Sequence, residues 1–218
     1  MLSFVGIGPG DPDLMTILAV RALARADVVA IADSGSGDSA VLRIAGPLVE
    51  GKPVLKLKIP MRPGEDWSPA HDRAAETLIK RLRSGAHVAY PVLGDPSLYA
   101  SSIYLYRRIA PRFPCEVIPG VPAMCAAAAA LGAPLAEGRE RLTMLPGFSE
   151  GDRLPEGAVV VLKAGRALDA IRASLNGRPA LLAQNLGMAD EYLGQLAGAD
   201  ARETYFSTVL IGPGRKEP

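Results

Sequence analysis

The sequence predicts two α/β domains. A five-stranded parallel, doubly wound sheet is expected over residues 1–118, a mixed sheet over 119–218, and a cleft between them. Three observations carry this reading. As far as residue 118, short apolar runs alternate with amphipathic segments, the pattern of repeated βαβ units. Beyond it, some strand-like runs follow one another with no long helix between them, which favours mixed pairing. The turn Pro119-Gly120-Val121-Pro122 separates the two patterns, and a cleft between α/β units is a usual place for a small molecule.

Each element has its own justification. Leu2 to Ile7 is an unbroken apolar run and reads as a buried strand. Gly6-Ile7-Gly8-Pro9-Gly10-Asp11-Pro12-Asp13 then turns into a helix, with Leu14, Ile17 and Leu18 expected to form its apolar face. Asp27 to Ala32 is the second strand and ends at Asp33; the polar loop 34–39 leads to a helix over Ala40 to Val49 and a third strand over Pro53 to Leu57. A long irregular segment, 58–69, precedes an amphipathic helix from Ala70 to Arg83 that Gly85 stops. Long loops inside compact domains are often functional. His87 to Val92 is the fourth strand, and Ser101 to Arg112 is helical by the recurrence of Ile103, Tyr106 and Ile109. Asp95 is placed to cap that helix, with Pro96 in its first turn. Pro114 to Ile118 is the fifth strand. The second half reads as an alanine-rich helix from Met124 to Leu131, strands over Arg141 to Leu145 and Ala158 to Leu162, a helix over Leu168 to Leu175, and strands over Ala180 to Ala183 and Thr204 to Ile211.

Composition excludes several classes. The chain has 218 residues, 49% of them hydrophobic and 22% charged, enough for a sizeable core. A net charge of +1 without a basic block gives no reason to expect nucleic acid. Cys115 and Cys125 fit neither a zinc spacing nor a disulfide framework, so both are expected as small buried residues in a reducing compartment. Met1 to Gly6 lacks the basic region of a signal peptide, and Ala126 to Ala130 is too short to span a bilayer. A cytoplasmic protein with no membrane partner is the expectation.

Three strand ends carry Gly and Pro turns: Gly10-Asp11-Pro12, Gly94-Asp95-Pro96 and Pro119-Gly120-Val121-Pro122. One such turn is only a good strand-to-helix junction; three can converge on the edge of a sheet where ligands bind. The first is not a dinucleotide fingerprint, because Asp11 stands where the third glycine belongs. Asp11 and Asp13 also put carboxylates where a phosphate would need positive potential. No Gly-Lys-Ser/Thr follows either, so a phosphate-binding loop is excluded. The glycine loop is expected to approach something bulky other than a pyrophosphate. Lys52, Lys56, Lys58 and Arg62 form the strongest run of cations without acids. Lys56 and Lys58 share one face of an extended strand. His71, on an exposed helix face, and His87, at a strand start, are expected to be structural.

Gly6-Ile7-Gly8-Pro9-Gly10-Asp11-Pro12, Gly94-Asp95-Pro96 and Pro119-Gly120-Val121, in this order and spacing, resemble the tetrapyrrole methylases over essentially the whole chain. Leu93 to Tyr99 with Ile103-Tyr104-Leu105, Lys163-Ala164-Gly165-Arg166 and Tyr205-Phe206-Ser207 are most similar to members that methylate precorrin-2 or cobalt-precorrin-2 at carbon 20. The resemblance implies a homodimer that uses S-adenosylmethionine as methyl donor and no metal. By position it assigns Pro9, Leu93, Gly94, Asp95, Pro122 and Ala123 to the donor. It assigns Lys163, Ala164 and Thr208 to its adenine, and Leu186 and Gly187 as further contacts. Relatives often carry Ser or Thr where this chain has Pro122 or Ala123. The implied acceptor bears many carboxylates, which makes Lys56, Lys58 and Arg62 candidates for holding it. Methyl transfer is an in-line displacement in which positioning does most of the work, so no nucleophile need be visible. A later proton loss needs a base, for which Asp33, Asp95, Tyr99 and Tyr104 are the candidates. Another precorrin or uroporphyrinogen methyltransferase, a nucleotide-dependent oxidoreductase, and a non-catalytic ligand-binding module are the alternatives.

Overall fold

The computed structural model describes residues 1–33, 39–60, 66–200 and 202–212. Two compact units divide the chain, Met1–Val121 and Pro122–Pro218. The division falls inside the Pro119–Pro122 turn, three residues beyond the expected end at 118.

The first unit holds five parallel strands: β1 (Leu2–Gly6), β2 (Val28–Asp33), β3 (Val54–Lys58), β4 (Val88–Val92) and β5 (Cys115–Ile118). They lie in the order β3-β2-β4-β1-β5. Four helices connect them: α1 (Ile17–Arg25), α2 (Ala40–Val49), α3 (Ser68–Arg83) and α4 (Ser102–Ile109). Because side chains alternate across a strand, Leu2, Phe4, Val28, Ala30, Val88 and Tyr90 pack with α3 and α4. Val5, Ile7, Val29, Ile31 and Ala89 pack with α1 and α2 on the opposite face. At β1, β2 and β4 both faces are covered, which is why these strands read as unbroken apolar runs rather than alternating ones. The helices that follow β1 and β4 leave to opposite faces, although the two strands are neighbours. That is a topological switch point, where α/β sheets open a crevice at their strand C-termini.

Four local expectations are corrected. The chain does not run straight from Pro12 into a helix: Asp11 caps a short 3₁₀ turn over Pro12–Leu14, and Thr16 then caps α1 through the Ala19 amide. The second cap resets the helical phase. Ala19, Ala22 and Leu23 therefore face the core, while Ile17 is 71% and Leu18 48% exposed. Asp95 does not cap α4, which begins only at Ser102; its carboxylate is occupied by its own turn. His71 is buried, at 2% exposure. α3 starts at Ser68, two residues before the expected Ala70, and His71 falls on one helical stripe with Ala74, Ala75 and Leu78. Cys125 is exposed and Cys115 only partly buried; Cys125 lies on the outer side of a short alanine-rich helix that buries only Ala126 and Ala127.

The second unit comprises α5 (Ala123–Leu131), β6 (Leu142–Leu145), β7 (Ala158–Leu162), a 3₁₀ segment over Ala164–Ala167, α6 (Leu168–Ser174), β8 (Ala180–Gln184), β9 (Tyr192–Gln195) and β10 (Ser207–Ile211). Its sheet is mixed, as expected, in the order β6-β7-β10-β8-β9, with only β6 and β7 parallel. β9 has no counterpart in the sequence reading. Tyr-Leu-Gly-Gln is too short and too glycine-bearing to show a period, and it is extended because β8 offers it an edge. The core of this unit gathers Val159, Val161, Leu168, Ile171, Leu182, Leu196, Val209 and Ile211. Among the described residues no helix is long and apolar enough to cross a membrane.

Candidate active site

At the switch point the three glycine turns meet within the first unit. The Gly94 amide donates to the Gly8 carbonyl at 2.8 Å, an isolated bridge beyond the ends of β1 and β4. Gly8 and Gly94 have φ of 76° and 68°, in the left-handed region where only glycine is free of strain. Gly6 and Gly120 are required for a different reason. A Cβ on Gly120 would lie 2.2 Å from the Gly94 carbonyl, and one on Gly6 would lie 2.5 Å from the Gly120 amide. Backbone packs on backbone here, so these glycines are needed by one another before any ligand arrives.

Asp95 ties the cluster together. One carboxylate oxygen accepts from the Ser97 amide (2.7 Å) and hydroxyl, and the other accepts from the Gly120 amide at 2.9 Å. Partial burial pushes its pKa up, but the hydrogen bonds from the Ser97 side chain, Ser97 backbone and Gly120 backbone outweigh that and hold it below the usual carboxylate value. Asp95 is thus an anion at neutral pH, beside turns formed of backbone amides and carbonyls. Pro9 and Gly94 are buried, and Leu93 is half-buried, in the same cluster.

The other first-unit candidates lie along the same sheet edge. Asp33 and Lys58 end β2 and β3 as cross-strand partners. Tyr99 follows the Asp95 turn with φ 49°, left-handed for a bulky side chain, and is 47% exposed. Tyr104 sits in the first turn of α4 and is 41% exposed. Strained backbone of this kind concentrates at functional sites. Lys56 is exposed on β3, two residues before the strand end, and shares the outward face with Lys58. Lys52 is not available to a ligand: its ammonium donates to the Ala24 and Ala26 carbonyls (2.8 and 2.7 Å), at the C-terminus of α1. Arg62 lies outside the described residues.

A second set assembles within the second unit. Lys163 and Ala164 follow the C-terminus of β7, Leu186 and Gly187 follow that of β8, and Thr208 lies at the start of β10 between those strands. The register pairs Thr208 with Leu162 and with Ala183, so all five residues gather at one edge of the sheet. Ala164 and Thr208 are buried. Lys163 has φ 55° and holds its ammonium 5.5 Å from the centre of the Tyr205 ring. Asn185, at φ 50°, accepts from the Thr204 hydroxyl (2.9 Å) and donates to Asp190 (2.9 Å), which fixes the loop carrying Leu186 and Gly187. Gly165 is pressed against Thr204, where a Cβ would meet the carbonyl at 2.1 Å. Pro122 is the N-cap of α5 and Ala123 its first residue.

Sequence reasoning missed Gly8 as the partner of Gly94, Ser97 as a holder of Asp95, and the Asn185–Asp190–Thr204 network. The adjacency of Asp95 and Ser97 was a signal, because an Asp two residues before a Ser favours an Asx turn. The network had none: Thr204 lies 19 residues from the Asn185 it bonds.

A family model described as Tetrapyrrole (Corrin/Porphyrin) Methylases matches residues 1–199. The chain is 38% identical to a precorrin-2 C(20)-methyltransferase of Sinorhizobium sp, over 98% of this chain and 95% of that protein. It is 34% identical to a cobalt-precorrin-2 C(20)-methyltransferase of Salmonella typhimurium, over 63% of this chain and 60% of that one. In fold it resembles the uroporphyrin-III C-methyl transferase of Thermus thermophilus solved with S-adenyl homocysteine. That match has a TM-score of 0.66 at 22% identity and covers 97% and 96% of the two chains. A family match of this extent, with a relative aligned nearly end to end, leaves one assignment: the chain belongs to the tetrapyrrole methylases and is an S-adenosylmethionine-dependent methyltransferase.

Proposed function

We propose that this chain methylates precorrin-2 at carbon 20 in cobalamin biosynthesis, with S-adenosylmethionine as donor. The observation that carries the reading is the 38% identity to a precorrin-2 C(20)-methyltransferase over nearly the full length of both chains. The shorter match to the cobalt-precorrin-2 enzyme supports the cobalt complex as second acceptor. The S-adenyl homocysteine bound by the Thermus protein supports the donor. In the same reading the protein is a cytoplasmic homodimer.

The donor's cationic sulfonium is suited to the switch-point turns, where Asp95 supplies an ionised carboxylate and Gly8 and Gly94 supply backbone. As the new carbon–carbon bond forms, the C–S bond breaks and its electron pair stays on sulfur. The methylated carbon then loses its proton. Three hydrogen bonds stabilise the Asp95 anion and make it a weaker base than an ordinary aspartate. Asp33, Tyr99 and Tyr104 remain for that step. Lys163, Ala164, Leu186, Gly187 and Thr208 serve the adenine end, and Pro122 and Ala123 contact the donor at the start of α5. Lys56 and Lys58 meet acceptor carboxylates, a role the reading extends to Arg62.

The test is turnover with methyl-labelled donor on precorrin-2 and on its cobalt complex. The expected result is labelled product with one S-adenosylhomocysteine released per acceptor, and faster turnover on the metal-free acceptor. Donor binding without transfer to either acceptor would point instead to another precorrin or uroporphyrinogen as acceptor. Calorimetric binding of NAD but not of S-adenosylmethionine would restore the oxidoreductase reading.

A further inference from the structure

His71 is buried at the start of α3, and its Nδ1 lies 2.8 Å from the Trp67 carbonyl oxygen. A carbonyl only accepts, so Nδ1 carries a proton and donates it to Trp67. Nε2 is buried and, among the described residues, has no hydrogen-bond partner. A buried polar atom in that state needs an explanation. The nitrogen that does bond fixes the plane of the ring, and the ring meets Tyr104 of α4 edge to face, 5.1 Å between centroids at 65°.

The backbone of Tyr104 is tied to the same place. Arg108, one turn further along α4, donates Nη1 to the Tyr104 carbonyl (3.0 Å), Nε to Asp72 (2.6 Å) and Nη2 to the Ser68 hydroxyl (2.7 Å). Tyr104 is therefore held through ring and main chain by the first turn of α3, yet stays 41% exposed. Beside it in sequence, Ile103 is 38% and Tyr99 47% exposed. These three large apolar side chains follow the Asp95 turn at the C-terminal edge of the sheet. Solvent gives no reason to hold a tyrosine ring so firmly; a ligand with a broad apolar face does.

We propose that His71 is a positioning residue that holds the Tyr104 ring as a surface against which the acceptor's macrocycle rests. The inference depends on the proposed function, because it takes a tetrapyrrole as acceptor. The bond from Nδ1 to Trp67 sets the ring of His71, that ring sets Tyr104, and Tyr104 touches the acceptor.

The experiment is a double-mutant cycle on His71→Leu and Tyr104→Leu, reading acceptor KM, kcat and donor affinity in the full chain. Each single change is expected to raise acceptor KM about threefold to tenfold, the effect of losing one aromatic contact. Donor affinity by calorimetry should be unchanged. The double variant should be no worse than Tyr104→Leu alone, since His71 acts through Tyr104. His71→Phe keeps the ring without its tether and should recover part of the loss. Additive effects of the two changes, or an acceptor KM that neither moves, would overturn the positioning role. If His71→Leu fails to fold, the exposed Tyr104→Leu and the milder His71→Phe still decide: an unchanged KM in both overturns the proposal. A wild-type protein that binds neither donor nor acceptor would instead overturn the functional reading beneath it.

Discussion

At the scale of single residues, Asp95 has the largest consequences. Asp95→Ala strands the Gly120 and Ser97 amides and should cost about 1–3 kcal/mol of stability. Asp95→Asn keeps an acceptor and should cost less. The two differ in their pH dependence. Because the folded-state pKa lies below the ordinary aspartate value of about 3.9, the carboxylate's contribution is fully present above that value. It is lost as pH falls through the lower folded-state value. The gap in denaturation midpoint between wild type and Asp95→Asn should therefore close as the pH falls below about 4. A gap constant over that range would show that ionisation is not what the hydrogen bonds stabilise. Gly120 offers a sharper test of packing: Gly120→Ala puts a Cβ into the Gly94 carbonyl and should cost about 1–3 kcal/mol. Gly147→Ala, with open space around it, should stay within about 0.5 kcal/mol. A valine at Gly94 would be strained at φ 68° whatever bound there, so it reports on the turn rather than on the donor.

Among the elements, the joints are held by long cationic side chains on carbonyls. Lys52 closes the end of α1. In the second unit the guanidinium of Arg178 donates to the carbonyls of Pro155, Gly157 and Gly212, which fastens the approach to β7 and the exit from β10. Burial pushes the pKa of Arg178 down from its ordinary value. A lysine there offers one ammonium in place of a planar fork. Arg178→Lys should cost about 1–3 kcal/mol by leaving partly buried carbonyls unpaired, measured by chemical denaturation. Equal midpoints for the two proteins would show that water serves those carbonyls as well. α1 shows how an element's face is decided by its cap. Ile17 and Leu18 suggest an apolar face in sequence, but Thr16 starts the helix where Ala19, Ala22 and Leu23 point inward.

For the molecule as a whole, each unit carries its own core. Leu2, Phe4, Leu78 and Leu105 belong to one cluster and Val5, Ile7 and Leu23 to a second, both within Met1–Val121. Val161, Ile171, Leu182 and Val209 form the cluster of the other unit. A fragment of residues 1–121 should therefore fold cooperatively by itself, with a single denaturant transition followed by circular dichroism. A non-cooperative, molten response would mean that the parallel sheet needs the rest of the chain. The proposed homodimer should sediment at twice the 22.8 kDa chain mass at micromolar concentration, and a monomer would count against it.

What the sequence alone determined was periodicity and local chemistry. Unbroken apolar runs such as Val28–Ala32 and Val88–Val92 announced strands buried on both faces, and their alternation with helical segments announced a parallel sheet. The glycine and proline turns were equally legible, because few other residues take their backbone angles. Where local patterns compete, tertiary structure decided. The Asp95 carboxylate could cap a helix or hold its own turn, and the Gly120 amide, 25 residues away, settled it. His71 could face water or core, and the start of α3 settled that. β9 is a strand only because β8 leaves an edge free. The gathering of Gly8, Gly94 and Gly120 at one switch point followed from strand order. Strand order is a property of long-range pairing, which no stretch of local sequence contains.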